Sequence, residues 1–86
     1  TVLVPLADGF EELEAVALID VLRRAAISVT VAGLDGADPV RGSRGVVVVP
    51  DAPFTGHEDP DLLVLVGGMG GVRRLGADAR VIDLVK

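Results

Sequence analysis

The sequence contains no cysteine, tryptophan or tyrosine, and only two phenylalanines and one histidine. Because cysteine is absent, disulfides, thiolate metal sites and thiol catalysis are excluded within these 86 residues. A single histidine does not make a zinc site by itself. We therefore expect no metal centre in this chain.

Acidic residues outnumber basic ones by thirteen to eight, which gives a formal net charge of −5. Nucleic-acid binding needs a positive surface and aromatic platforms for base stacking, and this sequence offers neither. The apolar run at the start of the chain ends at Asp8, so neither a signal peptide nor a membrane span is predicted. We expect no nucleic-acid or membrane partner, and a cytoplasmic location.

Hydrophobic residues make up 50% of the chain. They are mostly Val, Leu, Ala and Ile, which typically fill parallel sheets covered on both faces. Residues 1–6 and 27–33 are predicted as strands, and residues 11–25 as the helix between them. Asp8 is predicted to cap that helix, with Glu11 completing a capping-box-like pattern. Strand, helix and strand in this order make a right-handed βαβ unit, so the fold class is α/β.

Two further predicted strands, residues 46–49 and 61–66, have no polar face. Such strands need helices packed above and below them. The chain supplies one long helix and a second helical region after residue 72, where Asp78 is a candidate cap. We therefore expect the domain to be completed by further sequence or a second chain, with a homo-oligomer as the alternative. The intervening segments are read as an excursion such as a hairpin arm, residues 35–45, and a loop, residues 50–60.

Glu14 is the first candidate functional residue. It shares an i, i+4, i+7 stripe with Leu18, Val21 and Ala25, which predicts a carboxyl at the end of a buried face. Such a carboxyl finds hydrogen-bond donors or takes up a proton, and it is suited to proton transfer. The alternative is a first-turn acid that reaches solvent. Glu11 and Glu12, in the same turn, are interpreted as ordinary helix-start acids.

The second candidate is the glycine loop, Gly67–Gly71, directly after an apolar strand. Ligands of open α/β sheets bind at the carboxyl ends of strands, where glycines let backbone N–H groups approach a charged atom. The loop fits neither the Walker pattern nor the dinucleotide fingerprint, and a tight turn is an equal alternative. Arg41 and Arg44 flank a turn and are either solvated or anion-binding. His57 is interpreted as a solvated loop residue.

Taken together, these residues resemble the opening of the DJ-one/ThiJ/PfpI superfamily, in order and over essentially the whole chain. The resemblance is strongest to the subgroup that contains the Parkinson's-associated member and its bacterial relatives. It identifies the chain as the N-terminal half of a single domain of that type, residues 1–86. The motifs are LVPLADGFEELE (residues 3–14), DVLRRA (20–25), VTVAGL (29–34), PVRGSRG (39–45) and LVLVGG (63–68).

The resemblance implies a flavodoxin-like three-layer sandwich, normally a homodimer, with a cysteine nucleophile that lies beyond this sequence. It implies that Glu14 serves as a proton relay and that Gly67 and Gly68 form the oxyanion-hole loop. Arg24 and Arg44 would bind an anion near the site. The implied activity is that of a cofactor-independent glyoxalase or deglycase, a hydrolase or lyase acting on methylglyoxal-type aldehydes or their adducts.

Two features depart from the pattern. Val66 stands where relatives usually have proline, and the glycine loop is richer in glycine than in most members. Because the nucleophile is missing, these residues alone cannot perform the family reaction. Two alternatives to the enzyme remain open: a redox-responsive stress protein or chaperone of the same family, and a truncated, non-catalytic interaction module.

Overall fold

The computed structural model describes residues 1–86 as a parallel β-sheet with helices on both faces and a small hairpin at one edge. The predicted βαβ unit is present and its bounds shift by no more than two residues. The elements in chain order are β1 (Val2–Leu6), α1 (Glu12–Arg24), β2 (Val29–Gly33), β3 (Val40–Arg41), β4 (Val47–Val48), β5 (Ala52–Pro53), β6 (Leu62–Leu63), α2 (Met69–Ala77) and α3 (Ala79–Val85).

The four-stranded sheet has the order β5-β2-β1-β6, and every neighbouring pair is parallel. The chain first crosses through α1 to place β2 on one side of β1, and it later returns to place β6 on the other side. This reversal is the topological switch point of flavodoxin-like folds, where ligands bind outside the carboxyl ends of the strands. The predicted α/β, flavodoxin-like class is confirmed.

Strand β1 divides the core into two layers. Val2, Val4 and Leu6 face a cluster that includes Phe10 and the inner side of α1. Leu3 and Ala7 face the opposite cluster, to which α2 and α3 contribute Leu75 and Val81. Because successive side chains of a strand point to opposite faces, an all-apolar β1 is buried on both sides. The result is the three-layer arrangement expected for this fold.

Helix α1 is rotated relative to the sequence prediction. Glu12 and Ala15 are its buried residues, and Leu18, Ile19 and Leu22 pack against the sheet. The stripe through Glu14, Leu18, Val21 and Ala25 is not the buried face, since Val21 is 62% exposed. That prediction was wrong because α1 is apolar almost all round, and contact with the sheet decided which face turned inward.

The helix cap also differs from the prediction. Glu11 is the N-cap of α1, and its carboxylate accepts hydrogen bonds from the backbone N–H groups of Leu13 and Glu14. Asp8 instead accepts from the backbone N–H of Arg41, 3.0 Å from its Oδ1. Asp8 therefore ties the first loop to the hairpin.

The hairpin arm is confirmed: β3 and β4 pair in an antiparallel ladder, Val40 with Val48 and Arg41 with Val47. The expectation of a fully buried strand over residues 46–49 was wrong, because Val47 and Val49 are 47% and 71% exposed. Val40 and Val48 pack on the core cluster, whereas nothing in this chain covers Val47 and Val49.

One prediction for the later part of the chain was wrong and one is confirmed. The predicted loop over residues 50–60 contains β5, which extends the main sheet by pairing with the end of β2. The predicted cap is confirmed, since Asp78 caps α3 by accepting from the backbone N–H of Arg80. None of the three helices has both the length and the apolar run that crossing a membrane requires.

Candidate functional site

Three segments converge near the carboxyl ends of β1 and β6, at the switch point of the sheet. They are the loop of residues 7–10 after β1, the glycine loop Gly67–Gly71 after β6, and the arm turn, which we define as residues 42–46 between β3 and β4. The start of α1 lies between them and contacts all three.

Glu14 lies directly against the glycine loop. Its Oε1 accepts a hydrogen bond from the backbone N–H of Gly67 at 2.6 Å. The carbonyl of Gly67 in turn accepts from the backbone N–H of Glu11 at 2.9 Å. A Cβ at position 67 would lie only 3.0 Å from the Glu14 carboxylate. The carboxylate is exposed in this chain, but its position beside the loop is fixed by this bond.

Gly68 explains why the loop needs glycine. Its backbone has φ +102°, a conformation that side chains disfavour, and a Cβ there would overlap the carbonyl of Gly9 and lie 2.8 Å from the carbonyl carbon of Phe10. Gly68 is also the N-cap of α2 and has no side chain with which to cap it. Its own N–H donates to no protein acceptor. A half-buried, free amide beside a positioned carboxylate is the type of donor that an oxyanion hole uses.

Glu12, interpreted from the sequence as an ordinary helix-start acid, is buried, with 8% of its surface exposed. Its Oε1 accepts from the Ser43 hydroxyl at 3.1 Å, and its Oε2 accepts from the backbone N–H groups of Arg44 at 2.7 Å and Val46 at 3.1 Å. Burial acts to raise the pKa of Glu12, but the hydrogen bonds from Val46, Arg44 and Ser43 outweigh it and hold the pKa below its ordinary value of 4.5. The carboxylate is therefore charged and fully engaged at neutral pH.

A sequence signal for Glu12 existed. Residues 12, 15, 19 and 22 follow an i, i+3, i+7 spacing, which is also typical of one helix face, and three of them are apolar, as in the stripe through Glu14. The two stripes were close to equivalent on the helical wheel, so the wheel could not separate them.

The two candidate anion-binding arginines occupy different places. Arg44 lies in the arm turn. Its backbone N–H donates to the Glu12 carboxylate, and its side chain is exposed. Arg24 pairs with Asp20 at 3.0 Å, as their i, i+4 spacing indicates. Ten residues of helix separate Arg24 from Glu14, about 15 Å along the axis. Within one chain, the structure therefore does not bring Arg24 to the carboxylate.

An apolar groove with a volume of about 440 Å³ opens beside Glu14. It runs between the end of β6 and the two C-terminal helices, and Glu14 is the only ionisable residue that lines it. No nucleophilic side chain lines it. The apolar lining residues include Leu65, Val66, Val72, Leu75, Val81, Ile82 and Val85. The arrangement offers a carboxylate, a free amide and an apolar wall, but no group that attacks a substrate.

Known proteins are similar to this chain in sequence. The chain is 45% identical over 86 residues to protein dj-1beta of Drosophila melanogaster and 44% identical over 87 residues to the Parkinson disease protein 7 homolog of Danio rerio. Each match covers 98% of this chain but only 46% of the relative. The chain thus spans about half the length of these relatives.

Solved structures agree with the sequence comparison. The crystal structure of Drosophila melanogaster DJ-1beta superposes with a TM-score of 0.94 at 45% identity, covering 98% of this chain and 46% of that one. Oxidized DJ-1 of Toxoplasma gondii superposes with a TM-score of 0.92 at 41% identity, covering 98% and 47%. A sequence profile described as the DJ-1/PfpI family matches residues 1–86. The chain, with its switch-point carboxylate and its interlocked glycine loop, therefore belongs to the DJ-1/PfpI family.

Proposed function

We propose that residues 1–86 form the N-terminal portion of a cofactor-independent, cysteine-dependent enzyme that acts on methylglyoxal-type aldehydes or their adducts. The observation that carries the proposal is the 2.6 Å hydrogen bond between Glu14 Oε1 and Gly67 N, next to the free N–H of Gly68. A proton-transfer group and an oxyanion donor are thereby held at one point of the switch region. In this proposal the nucleophile comes from the remainder of the domain.

The proposed chemistry adds one water molecule to methylglyoxal and yields lactate, so no oxidant or reductant is needed. The thiolate forms a carbon–sulfur bond to the aldehyde carbon and gives a hemithioacetal. The amide of Gly68 stabilises the negative charge that develops on the aldehyde oxygen. Glu14 then transfers protons between the oxygen and carbon atoms of the former aldehyde and the neighbouring carbonyl. Water finally breaks the carbon–sulfur bond, which releases lactate and returns the thiol.

The apolar groove supports the proposed source of the nucleophile. In the main sheet β6 pairs only with β1. Leu62 in β6 and Leu65 just after it are 53% and 44% exposed, and the groove continues this uncovered surface. We propose that the C-terminal half of the same domain covers it and places the cysteine against Glu14. A homodimer, an aldehyde substrate and a cytoplasmic location complete the proposal.

The test uses the full-length protein and measures lactate formed from methylglyoxal. We expect Glu14→Gln to lower kcat by about 10²- to 10⁴-fold, the usual contribution of a positioned acid–base group. Asp59→Asn is the matched control, because Asp59 is an exposed carboxylate in the loop before β6, at the opposite end of the sheet. Equal activity of the wild type and Glu14→Gln would overturn the role of Glu14.

A second candidate function is a redox-responsive stress protein that uses the same cysteine without turnover. The similarity to a DJ-1 structure in its oxidized form favours this candidate. Absence of lactate formation by the wild type, together with retained suppression of protein aggregation, would support it and would contradict the enzyme. If neither activity is found, the non-catalytic interaction module is the remaining interpretation.

A further inference from the structure

We propose that Glu12 is a positioning residue that clamps the arm turn onto the start of α1 and so holds Arg44 at the mouth of the site. The inference rests on the proposed function in one respect, that the site accepts aldehydes, and Arg44 would bind the anionic group of those that carry one. The clamp itself is a separate structural claim and has its own test.

The contacts of Glu12 lie entirely within the arm turn. One carboxylate oxygen accepts a hydrogen bond from the Ser43 hydroxyl, and the other accepts hydrogen bonds from the backbone N–H groups of Arg44 and Val46. No arginine or lysine pairs with Glu12, so the carboxylate is held by hydrogen-bond donors alone. A single side chain thus satisfies three donors of one turn, which would otherwise have no partner in this chain.

Gly42 makes the close approach possible. A Cβ at this position would overlap the Glu12 carboxyl group, and Gly42 is itself buried. The clamp therefore consists of a carboxylate on α1 and a glycine that leaves room for it. Ser43 adds a main-chain contact, since its N–H donates to the carbonyl of Phe10 at 2.8 Å.

The segment Phe10–Glu12 links the arm turn to the glycine loop. Ser43 binds the carbonyl of Phe10, Gly67 binds the N–H of Glu11, and the arm turn binds the side chain of Glu12. Two loops that are distant in sequence thus take their positions from three consecutive residues. Since Arg44 is held only through its backbone, its guanidinium stays free for a ligand while its Cα is fixed.

The first experiment compares two aldehydes of similar size on the full-length protein: glyoxylate, which carries a carboxylate, and methylglyoxal, which is neutral. We expect Glu12→Ala to raise the KM for glyoxylate about tenfold, the loss of one charge-assisted contact, with the KM for methylglyoxal unchanged. Arg44→Ala is expected to give the same selective change. The double variant is expected to add nothing further, because both changes remove one interaction.

Two further variants separate positioning from general damage. Glu12→Gln keeps an oxygen for both backbone N–H groups and an amide for the Ser43 hydroxyl, so it is expected to restore most of the selectivity. If Glu12→Ala fails to fold, Gly42→Ala takes its place, since the added Cβ displaces the carboxylate. Equal loss on both aldehydes, or additive effects in the double variant, would contradict the proposal.

The clamp can also be tested without activity, by tryptic cleavage after Arg44 followed by mass spectrometry. We expect faster cleavage there in Glu12→Ala than in the wild type. The control is Glu58→Ala, which removes a carboxylate that holds the backbone N–H groups of Thr55 and Gly56 in another loop. If neither the wild type nor any variant converts aldehydes, the proposed function is contradicted. The cleavage rate after Arg44 still tests the clamp in that case. Unchanged cleavage after Arg44 in Glu12→Ala would refute the clamp.

Discussion

The arm turn and the glycine loop contact the same end of α1, but different kinds of interaction hold them. The arm turn depends on one side chain, the buried carboxylate of Glu12, which accepts three hydrogen bonds. The glycine loop depends mainly on backbone contact, because a Cβ at Gly68 would overlap the carbonyl of Gly9 and a Cβ at Gly9 would lie 2.8 Å from the Cα of Gly70. Loss of this one acceptor therefore opens the arm turn, whereas the glycine loop is disrupted by a Cβ added to its backbone.

This difference predicts which loop responds to conditions and which does not. A carboxylate changes its charge with pH, whereas the fit between glycine backbones does not. We therefore expect the arm turn to be the adjustable part of the site and the glycine loop to be its rigid part.

The largest effect is expected for Gly68→Ala. The new Cβ would lie 2.7 Å from the backbone nitrogen of Glu11, and the alanine would have to adopt φ +102°. We expect the free energy of unfolding of the full-length protein to fall by about 3 kcal/mol or more, measured by urea denaturation. Gly76→Ala is the control in the same helix, because a Cβ there meets nothing within 4 Å. It is expected to cost far less than Gly68→Ala, because helix propensity favours alanine over glycine by about 0.5–1 kcal/mol in a helix interior. Similar losses in both variants would contradict the backbone fit.

The second effect is an opening of the arm turn at low pH. The pKa of Glu12 in the folded protein lies below its ordinary value of 4.5, so its stabilisation is complete above that value and is lost as the pH falls through the folded pKa. Hydrogen exchange of the Arg44 and Val46 amides, corrected for intrinsic rates, should therefore accelerate below about pH 4.5. In Glu12→Gln this acceleration should disappear, and its persistence would show that another group controls the turn.

The third effect concerns the C-terminal end of α1, where glycine is expected to be more favourable than the alanine that is present. Ala26 has φ +61°, and the N–H groups of Ala26 and Ile27 donate to the carbonyls of Arg23 and Leu22, the pattern of a Schellman motif. Because glycine suits this position better than alanine, Ala26→Gly should raise the free energy of unfolding by about 0.5–1 kcal/mol. Thermal denaturation measures the change. A lower melting temperature would mean that the added freedom of the unfolded chain outweighs the relief of strain.

The smallest effect concerns a side-chain contact that is exposed. The Arg24 guanidinium pairs with Asp20, and both side chains are more than half exposed. Unlike the Glu12 contacts, this pair is screened by water, so Arg24→Ala should change the free energy of unfolding by about 0.5 kcal/mol or less. A loss well above that in urea denaturation would indicate a contact made by another part of the protein or by a second subunit.

Much of the fold could be predicted because its signals are local. The apolar β1, the uninterrupted helix α1 and the alternating β2 were each recognised within two residues of their observed bounds. The cap at Asp78 was also recognised. In contrast, β5 was hidden in a proline-containing segment because it forms only by pairing with the end of β2. Pairing with a distant strand leaves no local signal.

The candidate site could likewise be predicted only in part. Glu14 and the glycine loop were recognised as candidates, and the structure places them in contact, although not for the reason first given. Glu14 belongs to no buried apolar stripe and is positioned by Gly67 instead. Glu12 was missed, because its importance depends on the arm turn, which arrives from thirty residues further along the chain.

Local signals in the sequence were enough to predict the βαβ unit, the start and length of α1, and the glycine loop after β6, because hydrophobic periodicity and backbone freedom act over a few neighbouring residues. Which side of α1 faces the core, and which of its acids binds another loop, depends on tertiary contacts. The helix is apolar almost all round, so its own residues left several orientations nearly equal. Contact with the sheet, the arm turn and the glycine loop selected one of them.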